Sequence, residues 1–190
     1  FEDSEDHMFL FSALGNFFGK DQSSDFVNTN IIGDFADPNQ QTRTNFNQAT
    51  YTFKADYTKP FTEEITVEAG GQYIIQDSDN DFSVSNFIND EFVIDEGLTN
   101  IFNFDQDVLG VYATGAYEDE RWGVKAGLRV ENTDLETLLE NTNERNTQNY
   151  TNLFPTLHTS YKVNERFSMQ AGYSRRIDRP SLWSLNPFFN

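Results

Sequence analysis

Few side chains of this 190-residue chain have the types and spacing that enzyme chemistry requires. There are two histidines, His7 and His158, and no cysteine, which excludes disulfides and thiolate metal ligands. No nucleophile elbow, phosphate-binding glycine loop or zinc motif is present. His158 stands between Leu157 and Thr159 in an alternating stretch, a pattern that favours a polar position of a sheet over a catalytic base. We therefore expect neither enzyme activity nor a bound cofactor.

Three aspartates at alternate positions raise the question of a calcium site. Asp77, Asp79 and Asp81 begin the stretch "DSDNDFS" as they would begin a calcium-binding loop. The sixth loop position is Phe82, where such a loop needs glycine, and the twelfth is Ile88, where it needs glutamate. The pattern excludes an EF-hand and predicts a solvated surface loop, with a weak divalent-cation site as the alternative.

A cluster of arginines stands out in a strongly acidic chain. The formal net charge is −18, from 13 Lys and Arg against 31 Asp and Glu, which disfavours a nucleic-acid partner. Arg175, Arg176 and Arg179 nevertheless lie close together. Strand alternation predicts that Arg176 points to the polar side of the sheet and Arg175 to the opposite side. If the role of this cluster is structural, we expect an ion pair with Asp178 or Glu131.

These side chains need elements to position them, and the sequence predicts β-strands. In "RWGVKAGLRVE", residues 121–131, apolar residues alternate strictly with small or charged ones. Such alternation is typical of a strand with two unlike faces, and about seven strands can be counted in this way. The apolar face of this stretch carries Trp122, Val124, Ala126, Leu128 and Val130, and the other face carries Gly123, Lys125, Gly127, Arg129 and Glu131.

The connections between the predicted strands alternate between short and long. Three short polar turns are bracketed by aromatic residues, namely by Tyr57 and Phe61, by Tyr117 and Trp122, and by Tyr161 and Phe167. Long polar segments run over roughly 20–42, 77–103 and 132–150. This asymmetry is typical of outer-membrane barrels, with short periplasmic turns and long extracellular loops. The predicted fold class is an all-β, antiparallel transmembrane β-barrel, and a soluble antiparallel sandwich is the alternative.

In a barrel the polar faces line the lumen, which makes the arginines candidates for contact with a solute. Charged side chains inside a barrel mark the solute path or contacts with a plug. The apolar residues of the long segments are predicted to pack as a loop core, with a docking surface for a ligand or a lipoprotein as the alternative. Those residues are Phe82, Phe87, Phe92, Ile94 and Phe102, and the candidate ligand-binding residues are Arg129, Arg176, Arg179 and Trp183.

Three stretches resemble a known family. They are "GLRVENT" at 127–133, "NYTNLFPTLHTSYKV" at 149–163 and "AGYSRRIDRPSLWSLNPFF" at 171–189. They resemble the barrel of TonB-dependent outer-membrane receptors, in the branch common in Bacteroidota whose barrels carry an Arg-Pro-Ser and a Leu-Asn-Pro-Phe run after such a strand. Here those runs are Arg179-Pro180-Ser181 and Leu185-Asn186-Pro187-Phe188.

The resemblance implies active import of a scarce solute across the outer membrane of a Gram-negative bacterium. Energy would come through TonB acting on a plug domain, and the solute could be an oligosaccharide, a peptide or a metal chelate. The implied partners are outer-membrane lipid, lipopolysaccharide, TonB and a surface lipoprotein. A passive porin-like barrel without TonB coupling and a soluble secreted β-domain that binds glycans are the alternative functions.

The same resemblance bears on how much of a barrel this chain forms. The family's amino-terminal plug and closing carboxy-terminal strand are not found in residues 1–190. A sheet with open edges is costly in hydrocarbon because its backbone groups lack partners. We therefore expect 1–190 to be a partial outer-membrane β-barrel domain, with edge strands near Met8–Phe17 and Phe167–Arg176 that pair with segments outside this chain.

Overall fold

The computed structural model describes residues 7–29, 31 and 38–186, which form one antiparallel sheet followed by a short helix. The long strands have 18 to 24 residues, well above the roughly 9–11 that cross a bilayer. The elements are β1 (Met8–Phe26), β2 (Gln40–Pro60), β3 (Ile65–Ile88), β4 (Glu91–Ile94), β5 (Asn100–Glu118), β6 (Trp122–Leu139), β7 (Glu144–Asn164), β8 (Phe167–Ser174) and α1 (Leu182–Leu185).

The sheet is a meander in which each long strand pairs with the next. Its order is β1-β2-β3-β5-β6-β7-β8, while β4 pairs with β3 to the side. The predicted all-β antiparallel fold is confirmed, with seven strands along the sheet and β4 as an additional short one. In the described part of the chain β1 and β8 are the two edges and do not pair with each other, so this sheet is open.

The connections that the sequence predicts as short and those that it predicts as long lie at opposite ends of the sheet. The predicted long segment 132–150 is nevertheless mostly strand, and its connection, 140–143, is as short as 61–64. The first short turn comes later than the sequence predicts, because residues 58–60 still pair within the β2–β3 ladder, which ends at Pro60 and Thr66. The short connections are 61–64, 119–121 and 165–166, and those at the other end are 27–39, 89–99 and 140–143.

The polar segments between the hairpins are largely strand. For example, β3 continues to Ile88 and β6 to Leu139, and their ladders run on without a break in register. The physical reason is that ladder hydrogen bonds join backbone groups and place no demand on side-chain polarity. The strands therefore project as a polar wall beyond the length that spans a bilayer.

The two faces of the sheet differ as the alternation predicts. Ala113, Leu128 and Pro155 lie side by side on one face, and Tyr112, Arg129 and Phe154 lie side by side on the other. The large apolar side chains of the first face are about half exposed, with Leu109 at 53%, Val111 at 54% and Leu128 at 48%. A soluble sandwich would bury this face, whereas a barrel turns it to lipid.

The other face carries a small apolar cluster near the end with the longer connections. Phe46, Phe102, Phe104, Leu135 and Leu139 are buried there, together with Leu182 of α1. Leu182 reaches the cluster because the chain after β8 folds back over the sheet. No helix in the described residues is long and apolar enough to cross a membrane.

Candidate functional site

Residues 175–186, here called the return segment, cross the polar face of the sheet after β8 ends. The backbone N–H of Arg175 donates to the carbonyl of Pro155 at 3.3 Å, which continues the β7–β8 ladder by one bond. Farther on, Leu182 is 2% exposed, and the ring of Trp183 lies 5.0 Å from that of Phe46. The first turn of α1 is closed by Ser184, whose hydroxyl accepts from the N–H of Ser181 at 2.8 Å. The return segment is therefore anchored at both ends.

Glu131 lies at the centre of the contact between the return segment and the sheet. It is 8% exposed, and its two carboxylate oxygens accept separately from Arg129 Nε and Arg179 Nη2. Arg179 also donates to Thr133 Oγ1 at 3.4 Å. Of the arginine cluster, Arg179 forms the predicted structural ion pair, and its partner is Glu131. Because both oxygens are engaged by guanidinium groups, this acid joins β6 to the return segment.

Arg129 is held flat against the sheet by groups on neighbouring strands. Its Nη2 donates to Gln72 Oε1 at 2.9 Å, and its guanidinium carbon lies 5.6 Å from the centre of the Tyr112 ring. Gly110 provides the space, since a Cβ there would lie 2.6 Å from Arg129 Nη2. Gly70 likewise provides space for Tyr112, since a Cβ at Gly70 would lie 2.6 Å from the Tyr112 hydroxyl. That hydroxyl donates a hydrogen bond to a carboxylate oxygen of Asp56.

The space between the return segment and the sheet is a cleft of about 570 Å³. It unites three of the four candidate residues of the sequence analysis, whereas Trp183 packs on Phe46 instead. Arg175 also borders the cleft, although alternation predicts the opposite side, because the strand ends at Ser174 and alternation no longer applies. The charged residues that line it are Lys54, Arg129, Glu131, Arg175, Arg176 and Arg179.

Sequence reasoning missed several residues of this cleft, among them Lys54 and Tyr112. Both alternate onto the polar face of a predicted strand, which is the signal that identifies them as lumen residues. Their position beside Arg129 depends on the register across several strands, which no local pattern contains. Lys54 forms an ion pair with Asp56 at 2.8 Å, and His158 lines the cleft on the predicted polar face.

The three aspartates lie in β3 and not in a loop. Successive carboxylates two residues apart in a strand are separated by about 7 Å and cannot converge on one ion. Asp79 instead accepts from Asn47 Nδ2 at 3.1 Å. Among the described residues no group of three acidic or histidine side chains could hold a metal ion. The geometry of the described residues therefore gives no support to the weak divalent-site alternative for Asp77, Asp79 and Asp81.

The aromatic residues beside the short turns contact each other across neighbouring hairpins. Trp122 of β6 packs against Tyr161 of β7, with ring centres 4.4 Å apart and the ring planes tilted by 39°. Such rings at the end of the apolar face are typical of the aromatic belt at a membrane interface. Among the apolar residues of the long segments, Phe102 is 4% exposed, but it lies in β5 and packs in the apolar cluster of the sheet instead of a loop core. Phe87 and Phe92 pack together at 5.1 Å yet stay partly exposed, and Ile94 is 60% exposed.

The turn 119–121 contains a carboxylate whose pKa is shifted by several contacts. Asp119, in the turn 119–121, accepts from the backbone N–H groups of Trp122 and Arg121 and from the Tyr117 hydroxyl. These bonds favour the charged carboxylate and lower the pKa of Asp119 from its usual value. The turn is thereby closed by an ionised side chain.

Residues 2–190 match the model of the outer membrane protein β-barrel family. The structure is similar to the ferric citrate transporter FecA in its unliganded form, with a TM-score of 0.65 and 13% identity over 90% of this chain. It is also similar to the ferric yersiniabactin uptake receptor FyuA from Yersinia pestis, with a TM-score of 0.51 and 10% identity over 86% of this chain.

These structural similarities cover a small part of each solved chain. The chain spans 25% of the FecA chain and 24% of the FyuA chain, so about a quarter of each. At such low identity the solved structures establish a common fold. No curated protein sequence matches the chain.

Proposed function

The chain belongs to the outer membrane protein β-barrel family, and on that premise we propose that it forms part of the barrel of a TonB-dependent receptor that imports a scarce solute. Members of this family are barrel proteins of the Gram-negative outer membrane and not enzymes. In the proposed receptor the apolar face contacts outer-membrane lipid and lipopolysaccharide. The polar face with Arg129, Arg176 and Arg179 lines the solute path, and Trp183 holds the return segment in place.

The open sheet is the observation that carries this proposal. The free edges of β1 and β8 present backbone N–H and C=O groups, and each unpaired group costs several kcal/mol in hydrocarbon. The sheet therefore needs further strands, and we propose that 1–190 is one arc of a larger barrel. Seven strands are about a third of a 22-stranded outer-membrane transporter, whose lumen is plugged.

A plugged receptor and a passive porin differ in two measurable properties. We propose that a plug domain carried elsewhere in the protein closes the lumen and binds TonB. The full-length protein should then show no stable conductance in a planar bilayer, and it should bind the purified periplasmic domain of TonB. A surface lipoprotein that caps the extracellular end is a further proposed partner, and co-purification from the native outer membrane tests it.

The control for the conductance measurement is the same protein with its plug-coding region deleted, which should conduct. A constitutively open pore in the full-length protein, with no binding of TonB, would favour the porin-like function over the receptor. Purification without detergent in a monodisperse, folded form would contradict both and support a soluble glycan-binding domain.

A further inference from the structure

We propose that the cleft beneath the return segment binds a multivalent oxyanion, meaning a solute with two or more carboxylate or phosphate groups. This inference rests on the proposed receptor function, because it names the class of solute for the lumen. Three observations support it: the cleft is rich in positive charge, two of its arginines are exposed and pair with no described residue, and its volume fits a small molecule.

The cleft concentrates positive charge in an otherwise acidic protein. Among its described lining residues are five of the 13 Lys and Arg of the chain, against Glu131 as the single acid out of 31. Asp56, beside Lys54, adds one more negative charge, so the lining residues and Asp56 together carry a net charge of +3. A cleft with low-dielectric walls and charge of one sign focuses its field on a counter-ion, and in this cleft the counter-ion is an anion.

Two of the cations are available to a ligand. The guanidinium groups of Arg175 and Arg176 are exposed, and no hydrogen bond or ion pair joins them to any residue that the structure describes. Each guanidinium presents several N–H donors in a planar fork that matches a carboxylate or a phosphate. Two such forks on adjacent residues favour a ligand with more than one anionic group.

The contacts of the Glu131 carboxylate indicate that the cleft can bind an oxyanion. Its carboxylate lies between Arg129 and Arg179 and accepts from both, so one oxyanion position is already filled by the protein itself. The volume of about 570 Å³ fits a small molecule. A neutral sugar lacks a good stacking surface here, because Arg129 lies over the Tyr112 ring and Phe154 is 8% exposed.

The test is a titration of the full-length detergent-solubilised protein by isothermal calorimetry. The probes are inorganic pyrophosphate, the tricarboxylate tricarballylate and the neutral sugar maltotriose. We expect at least one anion to bind, with a Kd that rises with NaCl concentration, and maltotriose not to bind. The double variant R175Q/R176Q should weaken anion binding by roughly tenfold or more, as the loss of two charge-assisted contacts requires.

The matched control is R145Q/R166Q, which makes the same change of charge outside the cleft and should leave the Kd within about twofold. Heat-modifiable mobility on gels shows that each variant is folded. Binding of one anion class identifies that class as the ligand type. The inference is overturned if neither anion binds, if maltotriose binds equally, or if the control weakens binding as much as the cleft variant.

This titration involves neither TonB nor a membrane potential, so it separates the two proposals. Anion binding by a protein that forms an open pore and ignores TonB would reject the receptor and keep the anion site. A closed, TonB-binding protein without anion binding would reject the anion site and keep the receptor.

Discussion

Arg179 of the return segment and Glu131 of β6 form an ion pair between residues 48 positions apart, and Arg129 contacts the other oxygen of the same carboxylate. Glu131 is nearly buried, and the side chains of Arg129 and Arg179 are 26% and 24% exposed. This three-residue contact and the insertion of Leu182 are what hold the return segment on the lumen wall.

Glu131→Gln should release the return segment. The substitution leaves two guanidinium groups without their counter-charge, and breaking a buried pair costs about 3 kcal/mol or more. Amide hydrogen exchange at 182–186 should accelerate by roughly tenfold or more, because the segment opens locally. Glu136→Gln is the control, since its pair with Arg145 is exposed at 3.0 Å and contributes about 0–1 kcal/mol. Equal exchange in the two variants would contradict the anchoring role.

Gly110→Ala and Gly115→Ala should have opposite effects although both glycines lie in β5. A Cβ at Gly110 meets the pinned guanidinium of Arg129 at 2.6 Å, whereas one at Gly115 has nothing within 4 Å. Overpacking should cost about 1–3 kcal/mol at Gly110. At Gly115 the reduced chain entropy of the unfolded state should stabilise the barrel by up to about 1 kcal/mol. Urea unfolding in lipid vesicles measures both, and a similar loss in the two variants would rule out the proposed close contact.

Leu128→Arg should destabilise the barrel because it places a charge on the lipid face. The expected cost is about 2–4 kcal/mol if the side chain lies near the bilayer midplane. His158→Arg, on the exposed polar face, should cost less than about 1 kcal/mol. The measurement is again the urea midpoint in vesicles. If His158→Arg proved the more costly change, the assignment of the two faces would have to be reversed.

The contribution of Asp119 to stability should depend on pH with a definite sign. Its pKa is lowered in the folded state, so the charged form is stabilised by folding. The contribution is fully present above the unfolded pKa of about 3.9 and is lost as the pH falls through the lower folded pKa. Asp119→Asn should therefore lower the unfolding midpoint at pH 7, and its difference from the parent should shrink between pH 5 and pH 2.

Glu120→Gln, in the same turn, is the control because it removes the same charge from a side chain without a hydrogen bond to any described residue, and it should leave the unfolding midpoint at pH 7 close to that of the parent. A gap between Asp119→Asn and the parent that widens as the pH falls would show that the sign is wrong.

The two ends of the sheet should lie on opposite sides of the membrane. An epitope inserted after Thr142, in the connection 140–143, should be accessible to antibody on intact cells. One inserted after Glu120, in the turn 119–121, should be accessible after the outer membrane is permeabilised, because short turns are periplasmic in such barrels. Surface detection of the epitope at 120 with a hidden epitope at 142 would invert this topology.

The sequence determined the strands and their two faces because both follow from a local rule. A period of two residues places Leu128 and Arg129 on opposite sides of any strand, whatever its partners are. The same rule identified Arg129 as a lumen candidate, whereas Arg176 and Arg179 lie beyond the end of β8, where the rule no longer applies. Polar composition led to the wrong prediction of a loop at Asp77, Asp79 and Asp81, which lie in β3. Pairing between backbone groups does not depend on the polarity of the side chains.

The tertiary structure decided which of these side chains meet. Gln72 and Arg129 are 57 positions apart and become neighbours through the register of two intervening ladders. The return segment lies across the polar face of the sheet because Leu182 packs into an apolar cluster to which β2, β5 and β6 all contribute. Such contacts depend on register and burial summed over many residues, and no single stretch of the sequence contains that information.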